Sequence, residues 1–170
     1  MNNINIVVFN AGRASHLLTD LRSIVESARH PGIQLIEFPL QGWEASRVDP
    51  LMAPILSEQT PDALILVLDT DQLERARMLL PLLRKAAVGI PVLVIADTEQ
   101  PKDVLELIRL GADDFITPPL SPLSVLPRLW RLLDIIANNQ RDQKKVEFSS
   151  FQPYALVEHS RYRSVVLLKG

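Results

Sequence analysis

The sequence contains no cysteine and no long apolar run, and these two absences exclude several classes of protein. Without cysteine the chain has neither disulfide bonds nor thiolate metal sites, which fits a reducing compartment. No apolar stretch approaches the roughly 20 residues that a membrane-spanning helix needs. The first residues carry no basic segment ahead of their apolar stretch, so they predict a β-strand rather than a signal peptide. We therefore expect a cytoplasmic protein without a membrane segment.

The chain also lacks an excess of charge and the glycine-rich motifs of phosphate-binding loops. Its net charge of −2 argues against a nucleic-acid surface spread over the whole chain. It has neither the G-x-G-x-x-G fingerprint nor the lysine-serine pattern of a P-loop. The free amide groups of the segment from Asn10 through Gly12 to Ser15 could still bind a mononucleotide or another anion, and this function stays open as an alternative.

Residue clusters that would indicate catalysis or metal binding are absent as well. Ser15, His16 and Asp20 lie close in sequence, but a hydrolase triad needs residues that converge from separate elements. His30 and His159 have no neighbouring ligands at metal spacing. The sequence therefore predicts a protein that is not an enzyme and has no metal ion or other cofactor.

A regular alternation of strands and helices is what the sequence does contain. Strands are predicted at 4–9, 33–38, 62–68, 92–96 and 115–117, and helices at 15–28, 50–58, 72–87, 101–110 and 121–138. Pro50 is expected at the first helical position of the second helix, and Pro81 is expected to kink or divide the third. Such alternation predicts an α/β protein with a doubly wound, five-stranded parallel sheet, in which the third strand is central and the second lies nearer an edge.

The remaining residues differ in composition from this α/β part. Residues 139–145 (NQRDQKK) are wholly polar and are interpreted as a linker. Residues 146–170 show no helical period and contain short apolar runs with aromatic residues between them, which predicts a β-rich extension. The predicted organisation is a domain at 1–138, a linker at 139–145 and the extension at 146–170.

Residues 91–119 resemble the second half of a bacterial response-regulator receiver domain of the CheY type. They contain a buried strand, a helix, a second short strand ending in GADDFITPP, and a Pro-Pro turn. The resemblance extends over about the first 138 residues and implies a flavodoxin-like fold. It also implies a cis peptide bond before Pro119, the alternative being a trans turn.

The resemblance assigns receiver-site positions to residues that lack the required chemistry. Receivers hold a divalent cation with an acidic pair after strand one, and those two positions fall on Phe9 and Asn10. The phosphorylated aspartate falls on Val67, the Ser/Thr on Ala96 and the lysine on Pro118. The sequence therefore predicts a degenerate, phosphorylation-independent receiver.

One carboxylate near the missing acceptor leaves an alternative open. Asp69 lies two residues after Val67 and could still accept a phosphoryl group. We interpret the segment that begins with Asp69 as a turn and helix cap, and we expect no phosphorylation there.

The last strand and helix resemble the dimer face of OmpR-type winged-helix regulators. In that family an aspartate of strand five pairs with an arginine of the last helix across a two-fold axis, and these are here Asp114 and Arg128. Arg109 and Arg131 could join them, whereas Ser124 stands where the family has an acidic residue. The resemblance implies a homodimer through helix four, strand five and helix five, and a solvated helix face is the alternative.

The extension begins at the spacing where OmpR-type regulators begin their effector domain. The resemblance therefore implies a regulator of transcription that contacts DNA only through an output domain not contained in this sequence. An ATPase-type activator, whose ATP-binding domain also follows a receiver, is the alternative output.

Overall fold

A computed structural model of the chain describes residues 3–11, 15–28, 32–40, 45–69, 73–98 and 100–134. The predicted linker (139–145) and extension (146–170) lie outside the described residues.

The described part is one twisted parallel sheet with helices on both faces. Its elements are β1 (Ile4–Asn10), α1 (Ser15–Ser27), β2 (Ile33–Pro39), α2 (Ala45–Gln59), β3 (Ala63–Leu68), α3 (Leu73–Ala86), β4 (Val92–Ala96), α4 (Pro101–Arg109), β5 (Asp114–Ile116) and α5 (residues 122–134). The strand order is β2-β1-β3-β4-β5 and every neighbouring pair is parallel. This confirms the predicted fold class, the central β3 and the edge β2.

Two apolar layers cover the faces of the sheet. All six residues of β3 are fully buried, as expected for a strand with helices on both sides. Alternate residues of the strands point to opposite layers, because the side-chain period of a strand is two. One layer packs α2, α3 and α4 on the sheet, and the other packs α1 and α5.

The second helix is longer than predicted and contains both of its prolines. It begins at Ala45, five residues before Pro50, and also contains Pro54. Placing Pro50 at the first helical position was therefore wrong. Val48 and Met52 lie one turn apart and are almost fully buried, so the apolar face of the helix begins before the proline. Each of the two prolines leaves one carbonyl group of the helix without an intrahelical donor. Both prolines lie on the side of the helix that is exposed to water.

Pro81 was expected to kink or divide the third helix, and the expectation of a division is wrong. The helix runs from Leu73 to Ala86 with Pro81 on its exposed side. Leu79, Leu80 and Leu83 are buried on the opposite side, and this packing outweighs the loss of one intrahelical hydrogen bond.

The start of α5 agrees with the sequence. The peptide bond between Pro118 and Pro119 is cis, which confirms that prediction. The Ser121 hydroxyl accepts a hydrogen bond from the Ser124 amide at 3.2 Å, and the Ser124 hydroxyl accepts one from the Ser121 amide at 3.0 Å. This reciprocal arrangement caps the helix, as the sequence predicted for Ser121.

A tight turn joins α4 to β5 and is bound by an arginine of α3. Gly111 ends the helix region with φ +116°, a conformation that favours glycine. The Arg84 guanidinium donates to the carbonyls of Gly111 and Ile90 and to the Asp113 carboxylate. The same carboxylate accepts the Val92 amide at 2.7 Å. The GAD portion of the motif therefore forms a structural junction.

None of the described helices is long and apolar enough to cross a membrane.

Candidate functional site

The carboxyl ends of β1, β3 and β4 meet at one edge of the sheet. The strand register pairs Asn10 with Val67 and Leu68 with Ala96. In doubly wound folds ligands bind at this edge, beside the point where the strand order reverses. This edge is therefore the candidate site, and it contains the residues that the resemblance singled out.

Two of the receiver-site positions are occupied by core residues that face opposite layers. The Phe9 side chain is fully buried in the α2–α3–α4 layer, with its ring centroid 6.0 Å from that of Phe38. The Val67 side chain is fully buried in the α1–α5 layer. Neither side chain has a polar atom, and neither reaches the solvent at the edge of the sheet.

Asn10 is the one polar side chain among the degenerate positions, and it points toward β2. It is 4% exposed, and its amide donates to a carboxylate oxygen of Glu37 at 3.3 Å. Glu37 also lies 3.8 Å from the Arg22 guanidinium of α1. Asn10 therefore joins a network on the α1–β2 side of the sheet.

The hydroxyl that Ala96 lacks is present two residues later, where it binds the start of α4. Ala96 is buried at the end of β4, and Thr98 follows it at 7% exposure. The Thr98 hydroxyl lies 3.0 Å from a carboxylate oxygen of Asp103 and accepts the Gln100 amide at 3.3 Å. Thr98 thus binds the first turn of α4. Sequence reasoning did not identify Thr98.

A positively charged side chain from α3 reaches the end of β1. Arg75 is half-buried, and its guanidinium donates to the Ala11 carbonyl at 3.1 Å. Asp69 lies half-buried just after β3, while the rest of the predicted turn, at 70–72, lies outside the described residues. Sequence reasoning did not identify Arg75, because 64 residues separate it from Ala11.

The donor set at this edge does not fit a divalent cation. Mg²⁺ prefers several oxygen ligands, with carboxylates supplying charge. Here the acidic-pair positions hold a phenyl ring and an amide, and the Arg75 guanidinium brings positive charge to the same edge. Among the described residues no group of three or more His, Cys, Asp or Glu side chains is placed to hold a metal ion.

The charged residues of the predicted dimer face pair within the chain. Asp114 is bound by Arg131 at 2.8 Å, and the Nε atom of Arg128 lies 3.6 Å from the same carboxylate oxygen. Arg128 also donates to the Ser124 carbonyl at 2.9 Å. Arg109 lies on the exposed side of α4 and is one of the positive charges that act on Glu106. The structure thus brings Asp114, Arg128 and Arg131 together, as an intrachain cluster.

An open groove lies beside this cluster, between α4 and β5. It encloses about 590 Å³ and reaches the carboxyl ends of β4 and β5. Its lining residues are Asp97, Thr98, Gln100, Pro101, Val104, Leu105, Phe115, Thr117 and Pro118. The Leu105 side chain is 58% exposed. An exposed apolar groove with charged residues at its border is typical of protein contact surfaces.

An ion pair links α4 to α3 on the other side of the helix. Arg77 donates to both carboxylate oxygens of Glu106, at 2.6 and 2.8 Å, and also binds Glu74. The hydrogen bond from Arg77 is the main cause that holds the pKa of Glu106 below its ordinary value, and the positive charges of Arg77 and Arg109 add to it. The pKa of Arg77 is raised by the same contacts.

Solved structures with the same architecture are numerous. The CheY-like protein TadZ from Pseudomonas aeruginosa PAO1 is 23% identical, with 76% of this chain and 93% of that chain covered and a TM-score of 0.60. CpaE from Burkholderia thailandensis, described as a pilus assembly protein, is 22% identical, with 77% and 98% covered and a TM-score of 0.57. The chain has a CheY-like receiver fold.

The same fold also occurs as one part of a longer chain. NtrX from Brucella abortus is 18% identical to this chain, with a TM-score of 0.60, and 84% of this chain matches 29% of NtrX. No family model matches the sequence. No curated protein matches it either. The similarity therefore lies in the receiver fold, at identities too low to carry a function by themselves.

Proposed function

We propose that the chain is a pseudo-receiver: a receiver-fold module that acts by protein–protein contact, without phosphorylation and without catalysis. Its partner surface is the α4–β5–α5 face, defined by the groove residues and by Arg109, Asp114, Arg128 and Arg131. A homodimer through this face would position an output domain that binds DNA and controls transcription.

The burial of Val67 is the observation that carries the proposal. An acceptor of a phosphoryl group must be ionisable and accessible to the donor. The position that the resemblance assigns to this acceptor is a fully buried valine in an apolar layer. The cation that assists the transfer would also lack its ligands, since Phe9 and Asn10 provide no carboxylate.

Incubation with an acyl-phosphate donor and Mg²⁺ is expected to leave the intact mass of the protein unchanged. The physical reason is the missing acceptor and the missing carboxylates of the cation site. Asp69→Ala is the matched variant, and a phosphorylatable receiver in the same mixture shows that the donor is active. An added phosphoryl mass that disappears in Asp69→Ala would contradict the proposal and support the alternative switch at Asp69.

Leu105→Asp is expected to weaken self-association at least about tenfold, as measured by sedimentation equilibrium. A charge in the groove must be desolvated when two copies meet, and about 1.4 kcal/mol corresponds to a factor of ten. Leu51→Asp is the control, because Leu51 is also an exposed helical leucine, at 39%, and lies on α2. A wild-type protein that stays monomeric, or equal effects of both variants, would refute a homodimer through this face.

A second candidate output is pilus assembly rather than transcription. It is favoured by the CpaE chain, which matches this chain over 98% of its own length. Deletion of the gene separates the two outputs. Loss of surface pili with unchanged transcript levels would favour pilus assembly, and altered transcript levels would favour transcription control.

The alternative of mononucleotide or anion binding applies to the same strand ends. The guanidinium of Arg75 beside Ala11 is the one described feature that favours it, while Gly12 and its neighbours at 12–14 lie outside the described residues. Calorimetric titration with phosphate and with a nucleoside monophosphate tests it, and a saturable heat would favour this alternative over the pseudo-receiver.

A further inference from the structure

Helix α4 is attached to the rest of the fold by little apolar burial. It has nine residues, and Leu107 is its only buried side chain. Leu105 is 58% exposed and Ile108 is 42% exposed. Burying one leucine contributes roughly 1.5–3 kcal/mol, and isolated helices of this length are not stable in water. Other contacts must therefore hold α4 in place.

Polar contacts bind the start of α4. The buried Thr98 side chain lies 3.0 Å from Asp103, which belongs to the first turn. The same hydroxyl accepts the Gln100 amide. The loop after β4 and the first turn of α4 are thereby joined through a side chain that is itself in the core.

Two arginines of α3 bind the middle of α4 and the turn that follows it. Arg77 forms the two-pronged pair with Glu106, a geometry that fixes orientation as well as distance. Arg84 binds the Gly111 carbonyl and Asp113, just after the helix. Positions 77 and 84 are seven residues apart, or about two turns, so both side chains leave the same side of α3.

We propose that these five side chains, Thr98, Asp103, Arg77, Glu106 and Arg84, form a polar clamp that holds α4 in one position. The clamp keeps the α4–β5–α5 face permanently formed, where a switching domain would let α4 move. This inference rests on the proposed function, because it explains how the contact face is maintained without phosphorylation.

The clamp makes a specific prediction about salt. Arg77 and Glu106 are both exposed in part, at 44% and 40%, so dissolved ions screen their attraction. Raising the ionic strength should therefore open α4 locally, before the apolar layers of the sheet unfold. Opening of the sheet strands should not depend on ionic strength in this way, because apolar contacts stabilise the strands.

Hydrogen exchange of the full chain, followed by mass spectrometry of α4 peptides, tests the clamp. Arg77→Met is expected to raise the exchange rate of α4 amides about two- to fivefold at low salt, the range of an exposed pair. The wild type should show the same increase on going to about 1 M salt, where the screening length is about 3 Å. In Arg77→Met, this salt response of α4 should be smaller, because only the partly exposed Arg84–Asp113 pair remains to be screened.

The control is Arg22→Met, which removes the longer Arg22–Glu37 pair between α1 and β2. It should leave α4 exchange unchanged, and urea unfolding should show that both variants are folded. Unchanged α4 exchange in Arg77→Met, or an equal rise in Arg22→Met, would overturn the clamp. Exchange is measured in a Leu105→Asp background as well. If Arg77→Met raises α4 exchange in that background too, the clamp is supported even where the dimer does not form. If Arg77→Met leaves α4 exchange unchanged while the dimer is intact, the clamp is refuted and the proposed function is not.

Discussion

Replacing Gly111 by alanine is expected to lower the free energy of unfolding by about 3 kcal/mol, measured by urea denaturation. Two effects add at this position. The backbone has φ +116°, which L side chains rarely adopt. A Cβ atom there would lie 2.5 Å from the Cγ atom of Arg84, far inside van der Waals contact. The arginine would have to leave its contacts with the turn.

Gly89 provides the matched control. It also has a positive φ of +79°, and no heavy atom lies within 4 Å of the position that its Cβ atom would take. Gly89→Ala should therefore show only the backbone term, about 1–2 kcal/mol. In the double variant Gly111→Ala with Arg84→Ala, the loss in free energy of unfolding should be smaller than the sum of the losses in the two single variants, because the clash is removed. Equal losses at the two glycines, or strict additivity, would contradict the assigned role of Arg84.

The position of the Gly111 turn could be predicted from sequence, but its partner could not. A glycine after the last periodic residue of a helix is a local signal, because few other residues accept the backbone conformation. Arg84 lies 27 residues earlier. Nothing local distinguishes it from Lys85, its neighbour at the end of the same helix. Which of two adjacent cations reaches the turn depends on the angle at which α3 crosses the sheet.

The difference between local signals and tertiary packing also explains which elements of the fold were predicted correctly and which were not. The strands were predicted closely because buried parallel strands are continuous apolar runs, a property of each segment alone. The start of α2 was predicted too late, because Pro50 was assigned to the first helical position. The continuity of α3 was missed, because Pro81 was expected to kink or divide that helix. Both prolines lie on helix sides that face water, and tertiary packing of the opposite side outweighed the local cost.

At the candidate site, the resemblance assigned the receiver-site positions to residues of this chain, but it did not predict the polar contacts that the fold forms beside them. Two features needed the fold. The Thr98 hydroxyl binds Asp103 in the first turn of α4, and Arg75 reaches the Ala11 carbonyl from another element. Asp114, Arg128 and Arg131 pair within one chain, whereas the pairing across a two-fold axis stays a prediction. Because these three side chains pair within one chain, self-association through this face should depend on the apolar groove more than on new ion pairs.

Val67→Asp restores a carboxylate at the acceptor position and is expected to lower the free energy of unfolding by at least about 3 kcal/mol at neutral pH. Val67 is fully buried among apolar side chains of the α1–α5 layer. A charge there would lose its hydration without gaining a partner, and the variant should remain unphosphorylated.

The pH dependence of this variant separates a buried charge from a simple loss of packing. Burial raises the pKa of the introduced carboxyl above its value in the unfolded chain, about 3.9. The folded variant then holds a proton that the unfolded chain has released, so its stability falls as the pH rises between the two pKa values. Relative to wild type, the deficit should therefore shrink as the pH is lowered from neutral toward about 4.

Val67→Ala is the control for the lost apolar contact. It should lose about 2 kcal/mol through the vacated volume, with no added dependence on pH. The opposite outcome is a Val67→Asp variant that is as stable as Val67→Ala across this pH range and accepts a phosphoryl group. That outcome would require the edge of the sheet at β3 to be hydrated. The α1–α5 layer argues against that, because Ile65, Ile95 and Val125 around the same layer are also fully buried. Adding one carboxylate to this apolar layer is therefore not enough, and recovery of receiver chemistry requires that the layer be rebuilt.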